Sequence, residues 1–126
     1  MEFTLKSTTE GQLILVDKPL QITSFQVVNK IRWGLKSKYN LNKLKVGHAG
    51  TLDPLASGLL IICTGKMTKK INELQDLKKT YTGTITLGAT TASYDLETPI
   101  GEKFPISHLN EEGLIAATKK FKGEID

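Results

Sequence analysis

Segments patterned as strands alternate with segments patterned as helices along the 126 residues, which predicts a sheet with flanking helices, of mixed α/β or α+β class. The length suits one domain with a real core. Hydrophobic and charged fractions of 39% and 24% are those of an ordinary globular chain, so nothing calls for a second domain. No internal repeat or low-complexity tract points to a solenoid or a linker. Residues 1–10 are polar and expected to form a flexible N-terminus, and residues 11–126 are assigned to the domain.

The first element is the apolar run Gln12-Leu13-Ile14-Leu15-Val16, suited to a buried strand and closed by Asp17-Lys18-Pro19. Thr23 or Ser24 is a natural N-cap for a helix whose apolar stripe runs through Phe25, Val27, Val28, Ile31 and Trp33, with Gly34 ending or weakening it. Leu35 to Lys45 reads as a basic, polar connection. Gly58 to Gly65 is a glycine-bounded apolar run that fits a central strand, and a short helix is expected from Lys66 to Leu74. Thr80 to Gly88 alternates as a strand with one wet face. Gly88 to Glu102, rich in Thr, Ser, Asp, Gly and Pro, is read as a long loop of the kind that is more often functional than idle. Asn110 caps a last helix through Leu114, Ile115, Ala117 and Phe121, with Gly123 at its end.

The formal charge of +4 hides a division. Residues 18–72 hold ten basic residues against the single acid Asp53, a net +9, whereas the remainder carries 7 basic and 12 acidic residues. Such asymmetry suits a face that meets a polyanion, although a solvated lysine-rich helix face gives the same count. No apolar run approaches the roughly 18 residues of a membrane span. Met1 to Lys6 lacks the basic start and apolar centre of a signal peptide, so a cytoplasmic chain without membrane contact is expected. The lone Cys63 is expected to be strand packing, and with only His48 and His108 beside it there is no metal-ligand spacing.

Several chemistries fail on spacing. Gly65-Lys66 with Thr68 hints at a phosphate loop, but that pattern needs glycine where Leu60 stands and Ser or Thr where Met67 stands. There is no G-x-S-x-G elbow, H-E-x-x-H pair or dinucleotide fingerprint. What remains is the loop Gly47-His48-Ala49-Gly50-Thr51-Leu52-Asp53-Pro54-Leu55-Ala56-Ser57-Gly58-Leu59-Leu60, which carries one carboxylate. Gly47, Gly50 and Gly58 permit backbone conformations closed to other residues, and Pro54 sets the turn after the acid. Taken alone, an aspartate before a proline is more often a turn residue than a catalyst. Held still and ionised, it is also what a carboxylate nucleophile at a sugar carbon requires.

That loop resembles the G-H-x-G-x-L-D-P-x-A-x-G-x-L signature of the tRNA pseudouridine synthase B (TruB) family. Asp17-Lys18-Pro19 with Thr23-Ser24 resembles the family's early K-P-x-G-x-T-S motif, Lys79-Thr80-Tyr81 its K-x-Y motif, and Leu87-Gly88 through Thr91 to Asp95 its L-G-x-x-T-D-T-x-D loop. The resemblance runs from about Gln12 to the end. It implies an α+β fold with a mixed, largely antiparallel sheet, and an isomerisation without cofactor or metal in which Asp53 attacks the T-loop uridine of tRNA, conventionally uridine 55. The partner implied is the T-arm stem-loop, whose target nucleotide leaves the stack. By the same resemblance Tyr81 stacks on the flipped uracil and His48 contacts the distorted RNA loop. Asp95 lines the cleft, while Lys18, Pro19, Gly47, Gly50, Pro54 and Gly58 support the site.

Two positions depart from the family pattern: Gln21 stands where glycine is usual, and Thr91-Ala92-Ser93-Tyr94-Asp95 lacks the first acid of its loop. The family draws an arginine that pairs with the nucleophile, an apolar residue against the uracil and an RNA-binding appendage from its C-terminal half. The chain is therefore expected to be the N-terminal portion of a catalytic domain, inactive alone and able to self-associate through an exposed sheet edge. The competing readings are a non-catalytic RNA-binding or tRNA-folding module, and a sugar hydrolase that would need a second acid, for which Asp95 is the candidate.

Overall fold

The computed structural model describes residues 4–124. The chain forms two compact units, Met1–Thr80 and Tyr81–Asp126. Helices and antiparallel strands make the fold α+β. No helix among the described residues is long and apolar enough to cross a membrane.

In the first unit, strand β1 (Leu13–Lys18) and strand β2 (Val46–His48) flank strand β3 (Gly58–Thr64), both antiparallel to it. The register sets Ile14 opposite Ile62, Val16 opposite Leu60 and Lys18 opposite Gly58. Residues directly opposite share a face, so this register puts Ile14, Val16, Leu60 and Ile62 on one side. Helix α2 (Ser24–Lys38) covers that side: Val27, Val28 and Leu35 join Ile14, Val46, Leu60 and Ile62 in the buried cluster. Burial of each such side chain contributes about 1.5–3 kcal/mol. Cys63, between Leu13 and Gly47, is fully buried in β3, and burial pushes its thiol pKa up, as strand packing expects.

Helix α2 departs from its predicted end. It runs through Gly34 to Lys38, because Leu35 contributes to the core and the packing outweighs glycine's weak helix propensity. Leu35 therefore belongs to the helix and not to a polar connection. Trp33, placed on the apolar stripe by its spacing, is 71% exposed. The only arginine of the chain, Arg32, brackets α2 to β2 by donating to the Asn29 side chain at 2.8 Å and to the Val46 carbonyl at 2.9 Å.

The opening residues, expected to be loose, contain helix α1 (Leu5–Glu10), started by a capping box between Thr4 and Ser7. Residues 1–3 lie outside the described residues. A turn of 3-10 helix (Gly65–Lys70) and helix α3 (Ile71–Gln75) occupy the stretch predicted as a short helix. Helix α1 meets the start of that turn almost backbone to backbone: a Cβ on Gly65 would stand 2.3 Å from the Thr9 carbonyl oxygen.

The second unit, taken by itself, holds a hairpin of β4 (Ala89–Thr91) and β5 (Ile100–Lys103) and helix α4 (Glu111–Thr118). The hairpin replaces the long loop expected between Gly88 and Glu102, which was too rich in turn residues to show strands that short. Helix α4 starts as predicted, with the Asn110 side chain accepting from the Gly113 amide at 2.8 Å. The strand expected over Thr80–Gly88 does not form, and Ile85 within it is 87% exposed. Alternation makes a strand only where a neighbour completes the hydrogen-bond ladder, and no described residue pairs with this segment.

Two glycines separate propensity from packing. Gly34 lies in mid-helix with open space around it, so Gly34→Ala is expected to raise stability by about 0.5–1 kcal/mol. Gly65 combines a φ of +51° with the contact to Thr9, so Gly65→Ala is expected to cost about 2 kcal/mol or more. Thermal or urea unfolding of the two variants checks both signs.

Candidate active site

Lys18 closes β1 opposite Gly58, which opens β3 at the same end of the sheet, while His48 closes β2 opposite Ile62. The segment from Ala49 to Ser57 spans that end and carries Asp53. It is tied at short intervals. The Ala49 amide donates to the Ile61 carbonyl at 2.8 Å, and the Ala56 amide donates back to the Asp53 carbonyl at 3.0 Å. Gly50 and Gly58 have φ of 103° and 122°, so their conformation requires glycine. Gly47 is needed for a different reason: a Cβ there would lie 2.8 Å from the Ile71 methyl.

The residues on either side of Asp53 are both held by the segment that joins β1 to α2. The Ser24 hydroxyl donates to the Leu52 carbonyl and accepts from the Leu52 amide, each at 2.9 Å. The Gln21 amide donates to the Pro54 carbonyl at 2.7 Å. Gln21 adopts a φ of 64°, the left-handed conformation that glycine takes freely, which explains why its place in the motif is usually glycine.

Lys18 braces this turn. Its side chain is fully buried, and its ammonium donates to the carbonyls of Pro19 and Ile22 at 2.9 and 2.8 Å. Among the described residues it forms no ion pair, so the backbone carbonyls take the place of a counter-ion. Thr23 caps α2 by accepting from the Gln26 amide at 3.0 Å, and the Gln26 side chain accepts from the Thr23 amide in return.

Asp53 itself is exposed, and among the described residues its carboxylate has no hydrogen-bond or ion-pair partner. His48 is half-buried with Nδ1 2.6 Å from the Gly50 carbonyl oxygen. A carbonyl oxygen only accepts, so Nδ1 donates in that contact, and Nε2 has no hydrogen-bond partner among the described residues. Of the ten basic residues between 18 and 72, Lys30, Lys38, Lys43, Lys45, Lys66, Lys69 and Lys70 are exposed.

Tyr81 and Asp95 belong to the second unit. Tyr81 is 72% exposed outside any strand. Asp95, also exposed, lies in the turn between β4 and β5, where its Oδ1 accepts from the Ser93 hydroxyl at 2.5 Å and the Glu97 amide at 2.9 Å. Sequence reasoning placed the Asp53 loop but missed the bonds of Ser24 and Gln21, which join segments about thirty residues apart. The one signal in the sequence was the non-glycine residue at a glycine position.

Comparison with known proteins agrees with this loop. The family model described as TruB family pseudouridylate synthase (N terminal domain) matches residues 36–126, and the chain belongs to that family. The tRNA pseudouridine synthase B of Flavobacterium johnsoniae is 60% identical over 118 residues, which are 93% of this chain and 52% of that protein. Proteins of the same name from Phocaeicola vulgatus and Bacteroides fragilis are 52% and 51% identical, over 93% and 92% of this chain and 50% of each relative. The chain spans about half the length of the curated relatives it matches.

The Ser93 hydroxyl first, and then the Glu97 amide, hold the Asp95 carboxyl below the ordinary aspartate value of 3.8. A carboxyl with a lowered folded-state pKa supports structure above its ordinary value and loses that support as pH falls through the lowered one. The Glu97 amide resonance is therefore expected to hold its position through neutral and mildly acidic pH and to shift only below 3.8. Asp95→Asn should remove that late transition from an NMR titration.

Proposed function

We propose that the chain supplies the nucleophile-bearing half of a tRNA pseudouridine synthase acting on the T-loop uridine, with Asp53 as the nucleophile. The observation that carries the reading is an exposed carboxylate, without a partner among the described residues, on a backbone bonded at both neighbouring residues, inside a family of pseudouridylate synthases. Asp53 attacks the base or the sugar carbon of the flipped uridine, and the bond from C1′ to N1 breaks. The uracil turns and bonds to C1′ through C5 as the bond to Asp53 breaks and the carboxylate is released, while C5 gives up its proton and N1 gains one. No atom is added overall and no electron is exchanged, so the reaction calls for no cofactor.

The remaining roles follow from the chemistry of the side chains. The Tyr81 ring offers a flat face for stacking on the extruded uracil. His48 fits the space around the distorted RNA loop, with Nε2 as its free polar atom. The exposed lysines supply salt-dependent affinity for the phosphates of the T-arm. Asp95 is a contact of the same cleft by family resemblance, and its bonds to Ser93 and Glu97 make it a holder of its turn as well. Tritium release from carbon-5-tritiated tRNA by the full-length protein should disappear in Asp53→Asn while tRNA binding stays within about twofold, because charge at one residue adds little to a polyanion contact made by many. Persistence of pseudouridine formation in that variant would remove Asp53 from the mechanism. Loss of nothing but binding would favour a non-catalytic RNA-binding role.

The arginine that would pair with the nucleophile is not Arg32, which is committed to Asn29 and Val46. The 126-residue chain alone is therefore expected to release no tritium above background. Addition of the C-terminal half should restore release. Sedimentation of the short chain would also show whether the outer edge of β1 pairs with a second copy, as unpaired edges do.

A further inference from the structure

We propose that Ser24 and the backbone amide of Gln21 are the positioning device for Asp53, holding the peptide units on both sides of the acid so that its carboxylate meets the target with the backbone already in place. This rests on Asp53 as nucleophile. Among the described residues no side chain bonds the Asp53 carboxylate, so within this chain its placement rests on the backbone, beside whatever the arginine of the C-terminal half adds. The two backbone residues that decide it, Leu52 and Pro54, are each bonded to the segment between Lys18 and Ser24.

The two contacts differ in character. Ser24 is 2% exposed, at the first turn of α2, and its single hydroxyl satisfies both the amide and the carbonyl of Leu52. With the hydroxyl removed, both Leu52 groups lose that partner at a part-buried position. Gln21 presents its amide to Pro54 only because the turn holds a non-glycine residue in the left-handed region, and such conformations persist where surrounding bonds over-determine them. The buried Lys18 ammonium supplies those bonds at Pro19 and Ile22. Ser24 thus ties Leu52 to the start of α2, and Gln21 ties Pro54 to the end of β1.

The test uses the full-length protein, with single-turnover pseudouridine formation at saturating tRNA, tRNA affinity, thermal midpoint and amide exchange at residues 52–54 as readouts. Ser24→Ala is expected to lower the single-turnover rate about 30–100-fold, the scale of a 1 Å misplacement, with tRNA affinity within about twofold. Exchange at Leu52 should accelerate in the same variant. Ser24→Thr, which keeps a hydroxyl, should recover most of the rate, and Gln21→Gly, which keeps the amide and relieves the left-handed conformation, should retain it. Val28→Ala, destabilised through the same helix without loss of the hydroxyl, should keep its rate below its thermal midpoint.

A wild-type rate in Ser24→Ala overturns the proposal, and so does a loss of rate that runs in step with Val28→Ala. If Ser24→Ala does not fold, Ser24→Cys takes its place, and an unchanged rate in that variant has the same meaning. Activity in Asp53→Asn would instead defeat the nucleophile reading. An inactive Asp53→Asn beside a fully active Ser24→Ala defeats the positioning role alone.

Discussion

A single buried hydroxyl links the core of this protein to the loop that carries Asp53. Ser24 exchanges two hydrogen bonds with the backbone of Leu52, and Ser24 is placed by the helix that Val27, Val28 and Leu35 pack onto Ile14, Leu60 and Ile62. An ordered loop residue costs about 1–2 kcal/mol of backbone entropy, so a loop that must be still in water needs bonds of this kind at intervals. Asp53 has them immediately before and after, at Leu52 and Pro54, and its own side chain is left to the solvent. The arrangement keeps the carboxylate accessible without leaving its backbone free.

Much of this was legible in the sequence, for reasons that can be named. The runs that became β1 and β3 were short, apolar and bounded by turn residues; Thr23 or Ser24 announced the helix that Thr23 caps, and Asn110 announced α4. The Asp53 loop stood out because its glycines, proline and acid fall at fixed spacing. What failed to show depended on partners. Gly34 looked like a helix end because the sequence does not reveal that Leu35 meets the core. Thr80 to Gly88 looked like a strand, yet no described residue completes its ladder. The Ser24 bond lay beyond reach, since 28 residues separate its partners and serine at a helix start has a sufficient local explanation as part of a cap. Gln21 was visible as a departure from glycine, but its φ of 64° was needed to show what glycine does there.

Charge and conformation solve different parts of the same problem. The exposed lysines give the first unit an excess of positive charge, while among the described residues none of them pairs with the Asp53 carboxylate. Lys18 contributes in another way: buried among carbonyls, it acts as a brace of the turn and not as part of the electrostatic surface. Two lysines twelve residues apart, Lys18 and Lys30, thus share a residue type and no function. Composition alone could not distinguish them.

In the proposed function, Asp53 acts on the target nucleotide from a backbone already in position. A crystal structure of the full-length protein with a T-arm stem-loop, set beside the free protein, tests it most directly. The Asp53 carboxylate is expected about 3–3.5 Å from the extruded uridine, the uracil on the Tyr81 ring, and the Ser24–Leu52 and Gln21–Pro54 bonds unchanged between the two states. A different side chain at the reacting carbon, or a 52–54 segment that takes its final path only when RNA binds, would contradict it.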